Sequence, residues 1–516
     1  MRRYLGPGSV GLLLAACAVS PASGPAAFAS PPASAVTAIE LAASAITPAI
    51  MYNHIDYLAS DALRGRETPG LGLEAAATWV TESFRDIGLE PAGDDGTYTQ
   101  RWPLKRAGFD LPKTAMRIEV GDWVTGLRIG ADFFVVPAVG MPSASAPIVY
   151  AGSGLRPRKG PGIDITSRFA MMVLPGTRPD SAWRRTIESA MQAAVPAGAT
   201  GLVMILDPGF DESLLNQAGA SLGAAAPIFL IGLKHDVAQS IVRRAGLSPD
   251  RALAAPAPPA AQDFGRLTIS LVRSNEVDHP PNVVAVLRGS DPALRDEYVV
   301  ISSHMDHIGV GAPNAAGDSI YNGADDNASG TAAMIGVAEA FAAMDERPAR
   351  SILFLATSGE ELGLLGSTWF TDHPPVPADH MVANINLDMI GRNSPDSIVA
   401  IGQEYSSLGA LAYRVARERR ELHLTIASDP WPEEQLFFRS DHFNFARIGV
   451  PALFFTSGVH ADYHRPSDEL RYIDTDKTAR VARLVLYLAN EIANAPSPPM
   501  WTQKGIADMK SVNGRN

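Results

Sequence analysis

Five short stretches of the 516-residue sequence carry side chains that could do chemistry together: His304-Met305-Asp306-His307, Gly323-Ala324-Asp325-Asp326-Asn327-Ala328-Ser329-Gly330, Ser358-Gly359-Glu360-Glu361, Asn386-Leu387-Asp388-Met389 and Asp462-Tyr463-His464-Arg465. Histidine and carboxylate are ligands for a borderline-soft cation such as zinc, whose catalytic sites leave one position to water. Two ions can share one carboxylate while each takes two further ligands, and such a pair stabilises both an attacking water and a developing oxyanion. Two histidines and three carboxylates therefore suffice. Taken singly the stretches say little. The pair Glu360-Glu361 reads as solvated surface, and Asp325-Asp326-Asn327 before a helix reads as capping and dipole complementation. A lone histidine is more often a satisfied structural residue than a ligand. The conjunction carries the reading.

The elements around these stretches explain why they would meet. From Asn282 onward apolar strands at 283–287, 298–303, 351–357, 381–387 and 451–456 alternate with helical patterns at 329–344, 405–417 and 475–492. Continuous apolar strands separated by helices indicate an α/β sheet buried on both faces. Ligands in such sheets bind beyond the carboxyl ends of the strands, and there the five stretches fall. Helical patterns also occupy 50–59 and 72–87, the second stopping at Gly88.

Between these parts the pattern changes. Short apolar runs at 146–150, 170–174, 201–206 and 228–231, with a helical stretch at 181–194, predict an inserted smaller β-rich α/β domain over 121–261, closed by the Pro-rich run 255–260. No candidate catalytic residue lies in it. The catalytic domain is then expected as 49–120 together with 262–495, with a tail at 496–516.

A hydrophobic share of 46% with 19% charged residues excludes a largely disordered chain. A net charge of −12 argues against general nucleic-acid binding, which needs Lys and Arg to displace counterions. Arg2 and Arg3 followed by a short apolar run read as an export signal over 1–19, too brief to cross a bilayer. Leu14-Ala15-Ala16-Cys17 resembles a bacterial lipobox, and Cys17 is the only cysteine, so no disulfide framework exists. The expectation is a periplasmic or outer-membrane-anchored lipoprotein attached through Cys17. The alternative is a secreted protein cleaved near Ala27-Phe28-Ala29. Residues 20–48, rich in Ala, Ser and Pro, read as a tether.

In order and wording the five stretches resemble those of the di-zinc aminopeptidase family of metallopeptidases, which includes bacterial leucyl aminopeptidases and has glutamate carboxypeptidase and glutaminyl cyclase as relatives. The resemblance covers about 50–120 and 282–492; the inserted stretch resembles a protease-associated domain, mainly through 195–207. It implies a mostly parallel mixed sheet flanked by helices and two zinc ions per chain. Asp325 would bridge them, with His304 and Asp388 on one ion and Glu361 and His464 on the other. Glu360 would be the general base and Tyr463 an oxyanion donor. Asp306 would fix the tautomer of His304, and Asp326 would shape the loop. His307 and His442 would be supporting residues. Peptide substrates follow from the resemblance; the preferred residue, the cleaved end and the oligomeric state do not. A glutaminyl cyclase, a carboxypeptidase or dipeptidase, and a non-enzymatic binding protein are the alternatives on the same scaffold.

Overall fold

The structure is a computed structural model, and it describes residues 37–513 apart from 106–108, 111–112, 153–154, 156–162, 212–213, 221, 223–224, 247–262, 273, 312 and 315. The export signal, Cys17 and the Pro-rich run 255–260 lie outside the described residues.

Two large sheets organise the chain. The first has nine strands, and at its centre Ser351–Thr357, Tyr298–His304, Met381–Leu387 and Ala452–Thr456 run parallel side by side. Pro281–Leu287 and Ser397–Ile401 flank this block antiparallel. Every residue of the four parallel strands is buried, as their uninterrupted apolar runs require.

Alternating side chains leave each strand on opposite faces. Val299, Ile301, Ile352 and Phe354 join one core with the helices Pro48–Leu58, Leu71–Asp86, Gly330–Ala342 and Thr475–Asn494. Val300, Leu353 and Leu355 join another with Phe370, Phe445 and Met509. The fold is thus the helix-flanked mixed α/β sheet that the sequence implies.

The second sheet has eight strands between Ala115 and Ser270, reaching past both ends of the expected 121–261. Ser143–Tyr150, Phe169–Leu174, Gly201–Leu206 and Phe229–Leu233 run parallel within it. Separate apolar cores cover its two faces.

Two segments differ from expectation. Residues 37–48 are not a tether: Ala38–Ala45 is a helix, and the next helix starts at Pro48. Thr37 and Glu40 form a reciprocal capping box, which satisfies donors at the helix start. Ala42, Ala43 and Ile46 pack into the core, and Arg419 grips Glu40 at 2.6 Å. Alanine richness reads as tether or helix according to what lies beside it, and here an apolar surface does. In the expected tail, Gln503–Asn513 is helical and Met509 is buried.

Candidate metal centre

Four of the five stretches follow a strand or open a helix and the fifth lies in a loop after a strand, so the sheet brings them to one edge. His304 closes its strand opposite Thr357. Asp388 follows Leu387, its N–H donating to the Phe455 carbonyl. Glu360 and Glu361 sit in the turn after Thr357. The turn Ala324–Ser329 leads into the helix Gly330–Ala342, and His464 lies in the loop beyond Thr456.

Four of the five expected ligands converge, and the fifth place is taken by a neighbour. Nε2 of His304 is 3.2 Å from Oδ1 of Asp388 and 3.3 Å from Oδ1 of Asp326. Nε2 of His464 is 3.1 Å from Oδ2 of Asp326 and 3.2 Å from Oε2 of Glu361. One oxygen of Asp326 therefore faces each histidine. This is the disposition of a shared carboxylate between two cation positions.

Asp325, expected to bridge, points the other way. Its Oδ1 accepts from the Gly391 N–H at 2.6 Å and the Ser329 hydroxyl at 3.1 Å, and its Oδ2 lies 3.3 Å from Nε2 of His460. The backbone decides this. The N–H groups of Asp325 and Asp326 both donate to the carboxylate of Asp468, at 3.0 and 3.1 Å. Asn327 pins the turn from the other end, its amide donating to the Leu387 carbonyl and its Oδ1 accepting from the Gly330 N–H. Held so, successive side chains project to opposite sides, and Asp326 rather than Asp325 enters the cluster. The role of loop shaping assigned to Asp326 passes to Asp325, Asn327 and Asp468.

Asp306 also differs in detail. Nδ1 of His304 is 3.2 Å from the main-chain oxygen of Asp306 and 3.7 Å from its carboxylate, so the main chain is the nearer acceptor fixing the ring. The carboxylate instead accepts from the N–H groups of Gly359 at 2.8 Å and Glu360 at 3.3 Å. It ties the histidine loop to the glutamate turn.

Beneath Asp388 runs a buried chain of hydrogen bonds. Ser440 donates to Oδ2 of Asp388 at 2.8 Å and accepts from Asn386, which in turn accepts from Ser302. His307 is closer to the cluster than a distant support: its Nδ1 is 2.8 Å from Oε1 of Glu361 and 3.8 Å from Oδ2 of Asp326. His442 is remote from ligation. It is packed against Phe437 and Phe454, and burial drives its pKa down to about 3, keeping it neutral.

The electrostatics are those of acids crowded out of water around two imidazoles. Burial opposes a charge on His304, yet Asp388 and Glu360 hold its pKa well above the usual value. Burial likewise opposes a charge on His464, and Asp326 and Glu361 lift it to about 10. Asp326, despite burial, is held well below the carboxylate range by hydrogen bonding to His304 and by the His307 and His464 rings. Glu360 is raised well above it, first by burial and then by the neighbouring carboxylates Asp388, Asp441 and Glu361. Tyr463 stacks on His464 with ring centres 3.9 Å apart, and burial pushes its phenol upward.

The donor set suits zinc. The ligand atoms of His304, Asp326 and Asp388 lie within 4.8 Å of one another, as do those of His307, Asp326 and Glu361. Oε1 of Glu361 and both ring nitrogens of His307 are buried without a well-aligned hydrogen bond, and a coordinated cation would satisfy such atoms.

Asp468, Ser440 and His460 were missed from sequence. Asp468 had one signal, its place four residues after His464; Ser440 and His460 had none beyond proximity in the chain.

Residues 282–489 match the family model described as Peptidase family M28. A "Probable zinc metalloprotease" of Pyrenophora tritici-repentis is 24% identical over 362 residues, 60% of this chain and 74% of the relative. A second protein of that name, from Pyricularia oryzae, is 27% identical over 258 residues, 42% of this chain and 50% of the relative. The alignments thus span from half to about three quarters of these relatives. Among solved structures, the aminopeptidase from Aneurinibacillus sp. strain AM-1 superposes with a TM-score of 0.50 at 18% identity, covering 89% of this chain and 97% of that one. A zinc aminopeptidase from Bacillus subtilis gives 0.51 at 18% identity, over 88% and 97%. At these identities the likeness speaks to the fold alone.

Proposed function

We propose, from the match of residues 282–489 to Peptidase family M28, that the protein is an exported di-zinc aminopeptidase, removing residues from the amino ends of peptides. The observation that carries this reading is the carboxylate of Asp326, with one oxygen toward His304 and the other toward His464. Asp388 and His304 would complete one ion, and Glu361 and His464 the other, with His307 beside the second.

Bound zinc would supply an acidified water and a polarised peptide carbonyl. The remaining tasks fall to side chains. Glu360 is not paired with either histidine, and its desolvated carboxyl among other acids favours holding a proton. A group so poised accepts a proton from water during attack and returns it to the departing amine. Tyr463, fixed by its stacking on His464, would donate its hydroxyl to the oxyanion of the tetrahedral intermediate. Asp306 holds the Glu360 N–H and so sets the base beside His304.

The name of a further relative, the aminopeptidase YwaD of Bacillus subtilis, 28% identical over 40% of this chain and 44% of its own length, supports the amino end as the site of attack. The test is to incubate zinc-loaded protein with a mixed peptide library and follow the products by mass spectrometry. Ladders shortened from the amino end are expected. Shortening from the carboxyl end would assign a carboxypeptidase, and ammonia release from amino-terminal glutamine without shortening would assign a cyclase. Export through the Cys17 segment belongs to the same proposal; recovery of a soluble mature chain starting at Ser30 would overturn the lipoprotein form.

A further inference from the structure

The floor of the site includes a segment far away in sequence. Arg66, 239 residues before Met305, is buried, with about 1% of its surface exposed. A guanidinium taken out of water must satisfy its donors or pay a large desolvation cost. All of its hydrogen bonds go to main-chain carbonyls: Nε to Met305 at 2.8 Å, Nη1 to Asn322 at 2.7 Å and to Leu58, and Nη2 to Gly323 at 2.9 Å. Met305 follows His304, and Gly323 lies three residues before Asp326. One rigid fork therefore spans the two loops whose side chains meet 3.3 Å apart.

The same segment reaches a third loop. The main-chain oxygen of Arg66 accepts from the His307 N–H. The Thr68 hydroxyl donates to Oδ2 of Asp306 at 2.9 Å and accepts from the Gly359 N–H at 3.1 Å, one residue before Glu360. The turn that makes this possible is tight. Gly65 has φ +70, and a Cβ there would come within 2.4 Å of the Gly309 oxygen and 2.5 Å of the Tyr321 oxygen. Burial lowers the guanidinium's pKa to about 10; the charges of Asp326, Asp306, Asp468 and Glu361 work against that fall, although none takes a hydrogen bond from it.

We propose that Arg66 and Thr68 are positioning residues of the metal centre, clamping the His304, Asp326 and Glu360 loops in the register at which the ligands and the base converge. The inference rests on the two-zinc reading of the site. Arg66→Lys keeps the charge and loses the planar fork, since an ammonium cannot reach four separated carbonyls in the same geometry. Thr68→Val removes the hydroxyl at nearly constant volume. Zinc affinity is measured by competition with a chromogenic chelator, on full-length protein shown to be folded by circular dichroism, alongside the melting temperature of the zinc-free form. Loss of orienting partners around ligands typically weakens metal binding by roughly 10–100-fold, and that fall is expected for Arg66→Lys. For Thr68→Val a fall in kcat with KM nearly constant is expected, because the Glu360 turn is displaced. Melting temperatures that drop while zinc affinity, kcat and KM stay at wild-type values would make both residues merely structural and overturn the inference. If Arg66→Lys does not fold, the Thr68→Val result decides alone. A wild-type protein that takes up no zinc would overturn the two-zinc reading itself, and this inference with it; a wild type that binds zinc no better than Arg66→Lys, with kcat unchanged in Thr68→Val, overturns this inference only.

Discussion

Asp325 and Asp326 are neighbours in the chain whose carboxylates serve opposite sides of one turn: Asp326 lies between His304 and His464, while Asp325 lies against Gly391, Ser329 and His460. The backbone donors of both residues end on a single acceptor, Asp468. The division of labour between two identical side chains is therefore fixed by a residue some 140 positions downstream, and the account's predictions start from it.

The proposed mechanism makes Glu360 the proton carrier. Glu360→Gln keeps the size of the side chain and removes its basicity. Turnover of a peptide substrate should fall by roughly 10²–10⁴-fold, while zinc content measured by plasma mass spectrometry stays at the wild-type level. Wild-type turnover in this variant would remove Glu360 from the reaction.

Zinc uptake should expel protons. In the zinc-free protein the neighbouring carboxylates lift His464 to about 10 and hold His304 well above its usual value, whereas Asp326 is held well below the carboxylate range. Ligation needs neutral imidazole, so protons should leave at pH 7 as the metal enters. Calorimetry in two buffers of different ionisation enthalpy measures the number directly. Zinc binding with no buffer dependence would contradict the raised proton affinity of both rings.

The same groups set how the zinc-free protein responds to pH. A histidine whose pKa is raised on folding contributes stability that is complete below its unfolded value near 6.5 and is lost as pH rises through the folded value. For His464 that window runs from 6.5 to about 10. Glu360 and Asp388, also raised, act with the same sign above the ordinary carboxylate range. The zinc-free melting temperature should therefore fall between pH 6.5 and 9.5. A rise across that interval would show that the acids and imidazoles are not paired as the structure has them.

Ser440 supports Asp388 from beneath. Ser440→Ala removes the 2.8 Å bond to Oδ2 of Asp388 and leaves the Asn386 amide without its acceptor. Zinc affinity should fall by roughly 10-fold or more, with the fold retained by circular dichroism. Undiminished affinity would mean that the buried serine and asparagine chain serves packing alone.

Much of this was legible in the sequence because buried parallel strands announce themselves as unbroken apolar runs. The strands 351–357 and 381–387 were placed to the residue, and chemistry at their carboxyl ends followed from the architecture. His304, Glu361, Asp388 and His464 were expected together for that reason, and the structure brings them together. The choice between Asp325 and Asp326 was not legible, since it turns on backbone dihedrals set by Asp468 and Asn327 and no periodicity encodes it. Arg66 and Thr68 were hidden for a different reason: apart from Leu58, their partners are main-chain groups and one aspartate more than 230 residues away. The helix Ala38–Ala45 was lost to its composition, because alanine-rich sequence becomes helix or tether according to whether an apolar surface such as that around Ile46 is there to receive it.

The central claim is that Asp326 is the carboxylate shared by two zinc ions, and zinc stoichiometry after dialysis tests it most directly in wild type, Asp326→Asn and Asp325→Asn. Two ions per chain are expected in the wild type, fewer than one in Asp326→Asn, and two in Asp325→Asn. Asp326→Asn retaining both ions while Asp325→Asn loses them would contradict the account.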